Sequence, residues 1–226
     1  MRNRVLLLLL QISDSAFPTG SFSHSLGLEA FAGAGELRDA ADLERVVTLH
    51  LRSMATSDCV ALRAAYGEDD LDLLFHIDRQ LAATKLTREL RAASASTGRR
   101  FLASVATLGV EGAAFAEFTD AARSGTTPGN LAVGHGVAAS PLGADVDDAI
   151  HAYLYSGAAS LVAAGQKLIP LGGNVAQRAL FDLHSEIEEA ASKSQEIEVE
   201  GMYAFAPEVD VRSMLHERQR TRLYIS

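Results

Sequence analysis

The residues best suited to chemistry lie near the start of the chain, in the stretch 11–31, which reads Q-I-S-D-S-A-F-P-T-G-S-F-S-H-S-L-G-L-E-A-F. This stretch carries Asp14, His24 and five serines. A serine beside a histidine suggests a hydrolase, but adjacent residues on a helix point about 100° apart, so Ser23 and His24 do not face each other. The segment also lacks the G-x-S-x-G pattern of a nucleophile elbow. A small hydrolase that uses His24 and nearby serines therefore stays an alternative hypothesis, and we predict no catalytic residue.

Metal and nucleotide chemistry have little support in the sequence. No two of the histidines are spaced as ligands on one helix face, and the single Cys59 excludes both a Cys-based zinc site and an intramolecular disulfide. The G-x-x-x-x-G-K-[ST] phosphate loop is absent as well. We predict no cofactor and no metal site within one chain. The histidines considered are His24, His50, His76, His135, His151, His184 and His216.

The elements around residues 11–31 are predicted to form a sharp turn between two core helices. Pro18 fixes φ, and Gly20 can take a positive φ. Ser23 or Ser25 is a natural N-cap for a helix that runs towards Gly33. The apolar run 5–10 before the turn predicts a buried first helix. A capped structural turn with no further role is the simplest interpretation of these residue types.

The rest of the chain is rich in helical spacing, with Asp39 or Asp42 and the acidic run 68–70 as start signals. Loops are predicted at 126–129 and 170–173, and a single helix at 174–193. A last helix is expected over 209–219, followed by a mobile or loosely packed tail, 220–226. The fold prediction is all-α, a single domain over residues 1–226 built as a helical bundle of roughly eight to ten helices.

Composition and charge narrow the possible partners. The 226 residues are 48% hydrophobic and 22% charged, which indicates a sizeable core. The net charge of −9 and the lack of a basic block argue against nucleic acid as a partner. The run 5–10 is too short for a bilayer span, and no cleavage site follows it, so we predict no membrane association. With one cysteine, a reducing cytoplasmic location fits.

Three separated motifs resemble one protein family. The string S-D-S-x-x-P-x-G-x-F-x-H-S-x-G-L-E at 13–29 is similar to the N-terminal signature of UreF-type urease accessory proteins. Residues 167–178 are similar to the family's P-L-G-Q-x-x-G-Q segment, with departures at Gly173 and Ala176. Residues 214–226 resemble the closing H-E-x-Q-x-S-R-L-F-x-S, with Ile225 where arginine is common.

The resemblance implies a non-enzymatic assembly factor that is all-α and dimerises. Such proteins bind UreD (also called UreH), recruit the GTPase UreG and join apo-urease for nickel insertion. A scaffold for another GTPase or metalloenzyme is the alternative. The partner-binding residues implied by the matched motifs are Asp14, Ser15, Pro18, Gly20, Phe22, His24, Glu29, Lys167, Gln177, His216, Arg222, Leu223 and Tyr224.

Overall fold

The computed structural model describes residues 2–226, without the side chain of Arg2, and the all-α prediction is confirmed. Within these residues there is no strand. Short 3-10 turns at Ser21–Ser23, Ser194–Glu196 and Val199–Gly201 join some of the helices. The α-helices are α1 (Arg2–Ser13), α2 (Leu28–Gly33), α3 (Ala40–Ala55), α4 (Asp58–Ala65), α5 (Leu71–Thr84), α6 (Arg88–Ala106), α7 (Ala113–Ser124), α8 (Leu131–Ala139), α9 (Val146–Leu168), α10 (Gly173–Asp182), α11 (His184–Lys193) and α12 (Pro207–His216).

Side-chain caps fix where several of these helices begin. Asp39 accepts a hydrogen bond from a first-turn N–H of α3, as predicted, and Asp70 does the same for α5. Thr87 and Asp145 cap α6 and α9 in the same way. Each cap satisfies a backbone donor that has no partner within the helix.

Three predicted boundaries are wrong, one of them at the last helix, which spans Pro207–His216 and not 209–219. The single helix predicted over 174–193 is divided at Leu183 into α10 and α11. The helix after the first turn begins only at Leu28, because Leu26 and Gly27 take positive φ values of 51° and 89°. Ser23 and Ser25 are therefore not its N-caps, and Gly27 occupies that position. Left-handed backbone at two consecutive residues prevents the helix from starting earlier.

The core is one cluster of buried apolar side chains in which α8 and α9 are central. Every residue of α8 from Ala132 to Ala139 is buried, and this helix packs against α4 and α6. The long α9 packs against α3, α10 and α11 and also meets α1. These contacts bring α2, α12 and the first turn together against α9 and α6.

The loop before α8 is held by a buried carboxylate on α5. Asp78, which is fully buried, accepts hydrogen bonds from Thr127 Oγ1 (2.6 Å) and from the backbone N–H groups of Gly129 (2.7 Å) and Asn130 (2.9 Å). Gly98 on α6 lies against the same loop, and a Cβ at this position would overlap the carbonyl oxygen of Gly129. These contacts set how closely α6 and α8 approach each other.

The prediction that the first helix is buried holds for only one face of α1. Leu9 and Ile12 are buried, but Leu6, Leu7 and Leu10 are each more than half exposed. Consecutive apolar residues in a helix are distributed around the whole cylinder, and only one side of α1 packs on the protein. Across residues 2–226, no helix combines the length and the apolar content that a bilayer span requires.

Candidate functional site

The first turn adopts the conformation that its residue types predict. Gly20 has φ 74° and ψ 13°, which confirms the predicted positive φ. Asp14 Oδ1 accepts from the N–H of Ala16 at 2.7 Å, and Ser23 Oγ donates to the carbonyl of Gly20 at 2.7 Å. Short polar side chains thus fix the turn by local backbone bonds. The turn leaves the backbone groups of residues 23–26 outside any α-helix.

The last residues of the chain supply the partners that those backbone groups need. The carbonyl of Ser226 accepts from the N–H groups of Ser25 (2.5 Å) and Leu26 (3.0 Å), and the N–H of Ile225 donates to the carbonyl of Ser23 at 2.9 Å. Tyr224 is only 5% exposed and Ser226 only 3%. The prediction of a loosely packed tail is therefore wrong for residues 222–226, which we call the docked segment. The segment docks because it satisfies backbone groups that would otherwise be unpaired.

A cluster of four ionisable side chains anchors the docked segment. His216 is fully buried; its Nδ1 lies 2.7 Å from Glu89 Oε2, and its Nε2 lies 3.1 Å from Glu29 Oε2. Arg222 donates to Glu89 Oε1 at 2.7 Å. The charged cluster, Glu29, Glu89, His216 and Arg222, joins α2, α6, α12 and the docked segment.

Glu29 is the residue of the charged cluster that touches the docked segment's backbone. Its carboxylate accepts from the N–H groups of Leu223 (2.7 Å) and Tyr224 (3.0 Å). Burial alone would raise the pKa of Glu29, but the hydrogen bonds donated by His216 and by the docked segment outweigh burial and lower that pKa. Glu29 is thereby kept ionised, which strengthens the bonds that it accepts.

His24 contacts the docked segment from the first turn. Its Nδ1 lies 2.7 Å from the hydroxyl of Ser226. Burial and the nearby Arg100 lower the pKa of His24, while Glu89 acts in the opposite direction. The hydroxyls of Ser23 and Ser25 donate to backbone carbonyls and not to the His24 ring. The arrangement does not support the hydrolase alternative, which requires one of these neighbouring serines to pair with His24.

Lys167 and Tyr224 extend the site onto the end of α9. Lys167 Nζ lies 5.9 Å from the centroid of the Tyr224 ring, within the range of a cation–π contact. The Tyr224 hydroxyl donates to the carbonyl of Ala164 at 3.5 Å. Burial, and then the carboxylate of Glu29, raises the pKa of Tyr224. Lys167, which the sequence associates with the middle motif, thus meets the last motif in space.

Other residues predicted to bind partners are exposed around this site. Asp14, Ser15 and Pro18 are exposed on the first turn. Phe22 is 68% exposed and Leu223 66% exposed, and Ile225, between the buried Tyr224 and Ser226, is 65% exposed. Gln177 is also exposed, but it does not lie around this site. It is on α10, which packs against α3, α9 and α11, and within residues 2–226 it makes no hydrogen bond to the charged cluster. The structure brings the first and last motifs together and leaves Gln177 apart.

Two residues that organise the site are missing from the sequence prediction. Glu89 lies in the first turn of α6 and bonds both His216 and Arg222. Arg100, also on α6, lies close enough to lower the pKa of His24. Neither belongs to the three matched motifs, and no spacing in the sequence relates residue 89 to residue 216. The role of Glu89 becomes visible only when α6 packs against α12, and that of Arg100 only when the first turn packs against α6.

A cavity of about 180 Å³, partly open to solvent, lies beside the site, with His24, Leu26 and His50 among its lining residues. On its wall the buried Asp58 accepts from Lys85 Nζ at 2.7 Å and from the Tyr153 hydroxyl at 3.0 Å. Among the described residues His50 Nε2 finds no hydrogen-bond partner. Burial and the charge of Lys85 lower the pKa of His50 to about 4. This histidine is therefore neutral near pH 7.

His135, from α8, also lines the cavity. Its ring stacks on Phe101 with 3.9 Å between ring centroids and meets Tyr153 edge-on at 5.2 Å. Burial lowers the pKa of His135 to about 3. Over residues 2–226, no three or more His, Cys, Asp or Glu side chains are grouped so that they could hold a metal ion.

Comparison with known proteins identifies the family. The UreF family model matches residues 37–184. Urease accessory proteins UreF of Corynebacterium glutamicum (strain R) and Paenarthrobacter aurescens (strain TC1) are 33% and 34% identical, each with 97% of both chains covered. That of Cereibacter sphaeroides (strain ATCC 17025 / ATH 2.4.3) is 36% identical, with 98% of this chain and 99% of the relative covered. These alignments cover nearly the whole chain, and the chain belongs to the UreF family of urease accessory proteins.

Proposed function

We propose that this protein is a non-catalytic assembly factor that bridges UreD (UreH) and the GTPase UreG, so that apo-urease receives its nickel. We further propose that it works in the cytoplasm as a homodimer. Membership in the UreF family supports an accessory role. UreD, UreG and apo-urease are the partners that the resemblance of the three motifs implies. The observation that carries the proposal is that two of these motifs form one surface, with apolar side chains exposed on it.

The exposed apolar side chains of this surface have the character of a protein interface. Phe22, Leu223 and Ile225 are each about two-thirds exposed, yet they are attached to backbone that is hydrogen-bonded and packed. A rigid backbone lowers the entropy lost on binding, and aromatic or aliphatic anchors dominate interface energies. We therefore assign the contact with UreD to this surface.

The predicted site residues divide into two proposed roles. Gly20, His24, Glu29, His216, Arg222 and Tyr224 hold the surface in shape, and Lys167 supports Tyr224. Asp14, Ser15, Pro18, Phe22 and Leu223 are placed to touch the partner. Gln177 is exposed on α10, so we propose a separate contact for it, with UreG or apo-urease.

The test is to co-express the tagged full-length chain with UreD, UreG and apo-urease and to measure the complex by size-exclusion chromatography and urease activity. The double variant Phe22→Ser, Leu223→Ser removes two exposed anchors, and we expect it to weaken the UreD complex by about tenfold or more. Phe205→Ser is the matched control, because Phe205 is 73% exposed and belongs to none of the three motifs.

The result that contradicts the proposal is equally specific. If the double variant forms the UreD complex in wild-type amounts, the assignment of the UreD contact to this surface is wrong. A complex with a different GTPase or metalloenzyme, and none with UreD, would favour the general scaffold alternative. Circular dichroism on each variant separates loss of binding from loss of fold.

A further inference from the structure

The cavity beside the first turn is lined by two residues whose polar atoms have no hydrogen-bond partner within residues 2–226. These atoms are Nε2 of His50, on α3, and Oγ of Ser94, on α6. The His50 side chain is deeply buried, with only 7% of the residue exposed. A buried polar atom without a partner costs free energy. A molecule that enters the cavity can therefore gain a hydrogen bond that the protein does not make itself.

The charged groups of the cavity favour an uncharged occupant. Both carboxylate oxygens of Asp58 accept from Lys85 Nζ, at 3.0 and 2.7 Å, so this buried ion pair is already satisfied. Asp14 and Asp210 line the cavity as well, and their carboxylates repel an anion. A cation would lose its hydration in a cavity that already holds the Lys85 ammonium. Neither sign of charge is therefore matched by this lining.

The His50 ring sets the kind of polar group that fits. Burial and the charge of Lys85 lower the pKa of His50 to about 4, so the ring is neutral near pH 7. A neutral imidazole has one nitrogen that donates and one that accepts. A hydroxyl group can do both, so it matches the ring in either tautomer, whereas a methyl group matches neither. The hydroxyl of Ser94 has the same two-way capacity.

The rest of the wall is mainly apolar and sets the size of the occupant. An engineered apolar cavity of about 150 Å³ in another protein stays dry and binds benzene, and this cavity measures about 180 Å³. Water could bond the polar atoms but would leave the apolar wall uncovered, whereas a ring covers it. The flexible thioether of Met54 can adapt to the shape of a ring. The apolar lining includes Leu26, Met54, Leu90, Leu131, Leu161 and Val209.

We propose that this cavity is a binding site for an uncharged single-ring molecule with one hydroxyl group, of the phenol class. The ring of the ligand packs against the apolar wall, and its hydroxyl group bonds the His50 imidazole. The opening of the cavity to solvent lets the ligand exchange. The proposal does not depend on the partners assigned above, because it concerns a small molecule bound by this chain alone.

The test titrates the native full-length chain near pH 7.5 with four one-ring probes, followed by saturation-transfer NMR. Phenol should bind saturably with a Kd of about 1 mM or lower. Toluene, which has the ring but no hydroxyl group, should bind about fivefold more weakly. Benzoate and benzylammonium carry a charge and should bind at least tenfold more weakly than phenol. A nuclear Overhauser effect between phenol and the Met54 methyl group should place the ring in the cavity.

Two variants and a control locate the site. His50→Leu removes the polar group but keeps an apolar side chain, so phenol should lose its fivefold advantage while toluene still binds. Ser160→Leu adds bulk to the wall of the cavity, and both probes should lose their binding. Ser192→Leu is the matched control, because Ser192 is exposed on α11, away from the cavity lining. It should bind phenol as the native chain does.

Several results overturn the proposal. Phenol that does not bind saturably to the native chain removes the site, and tighter binding of either charged probe refutes the uncharged class. An undiminished preference for phenol in folded His50→Leu refutes the role of His50. If Ser160→Leu does not fold, the native chain still decides the location, because bound phenol without a contact to the Met54 methyl group lies elsewhere.

Discussion

At the scale of single residues, two buried histidines make the stability of the protein depend on pH. Burial lowers the pKa of His50 to about 4 and that of His135 to about 3, whereas a histidine in an unfolded chain titrates near 6.5. Between these values the unfolded chain binds more protons than the native protein. The free energy of unfolding therefore falls as the pH falls from about 6.5 towards the native pKa values.

We predict that His135→Phe makes this acid-side loss shallower. Each such histidine contributes about 1.4 kcal/mol per pH unit to the slope, and phenylalanine keeps the stacking on Phe101 without a titrating group. Urea unfolding followed by circular dichroism at several pH values measures the slope. Val133→Ala on the same helix is the control, which should lower stability equally at each pH. An unchanged slope in His135→Phe would contradict the prediction.

Gly20 gives a second prediction at this scale. Gly20→Val should destabilise the protein by about 2 kcal/mol, because a β-branched residue is strained at the observed φ of 74°. A Cβ there would also displace the Arg100 side chain. Ser21→Ala, one residue on, should stay within about 0.5 kcal/mol. Thermal melts of both variants decide the matter, and equal melting temperatures would show that the Gly20 conformation has no energetic importance.

Residue types could predict the conformation of Gly20 but not the charged cluster. Proline followed by glycine is a local signal, and local signals are readable in the sequence. Glu89, by contrast, is 127 residues away from the histidine that it bonds. Its role depends on how α6 packs against α12, which no local pattern contains. For the same reason the sequence led to a loosely packed tail, although residues 222–226 are docked.

At the scale of elements, the approach of α6 to α8 depends on a position without a side chain. At Gly98 a Cβ would lie 2.5 Å from the backbone nitrogen of Leu131 and would overlap the carbonyl oxygen of Gly129. Backbone atoms cannot rotate away as a flexible side chain can. The loop that would have to move is itself fixed by Asp78, whose carboxylate accepts from four backbone and side-chain donors of the loop.

We therefore predict that Gly98→Ala destabilises the protein by about 3 kcal/mol, although alanine favours helix formation. Gly173→Ala is the matched control, since this glycine is also in a helix and nothing lies within 4 Å of its added Cβ. The control should be neutral or slightly stabilising. Chemical denaturation of both variants measures the difference, and a Gly98→Ala protein as stable as wild type would contradict the close approach.

The helices were easier to predict than their burial and their breaks. Asp39 and Asp70 mark helix starts because a cap is a local interaction with the next turn. The break at Leu183 has no comparable marker, because neither Gly nor Pro stands there. The exposure of Leu7 on α1 depends on which face of the helix finds a neighbour. These features are decided by tertiary packing, which overrides the local preference.

At the scale of the whole molecule, the exposed leucines of α1 lead to a prediction about association. Leu6, Leu7 and Leu10 add nothing to the isolated core, so Leu7→Glu with Leu10→Glu should leave the melting temperature almost unchanged. If α1 forms the contact of the proposed homodimer, the double variant should have the 24.0 kDa mass of one chain by multi-angle light scattering. Phe205→Ser is the control. A dimeric double variant would place the dimer contact elsewhere.

The docking of residue 226 on residues 24–26 also has a consequence for the order of folding. The hydrogen bond between His24 and Ser226 spans 202 positions of the chain. Closing such a loop in an unfolded chain costs about 5 kcal/mol of conformational entropy, so the contact is not made before α6, α9 and α12 have packed. Interactions that form after the transition state affect the rate of unfolding and leave the rate of folding unchanged. Arg222→Ala should accordingly accelerate unfolding in stopped-flow circular dichroism while refolding proceeds at the wild-type rate, and a slower refolding limb would mean that the two ends of the chain meet early.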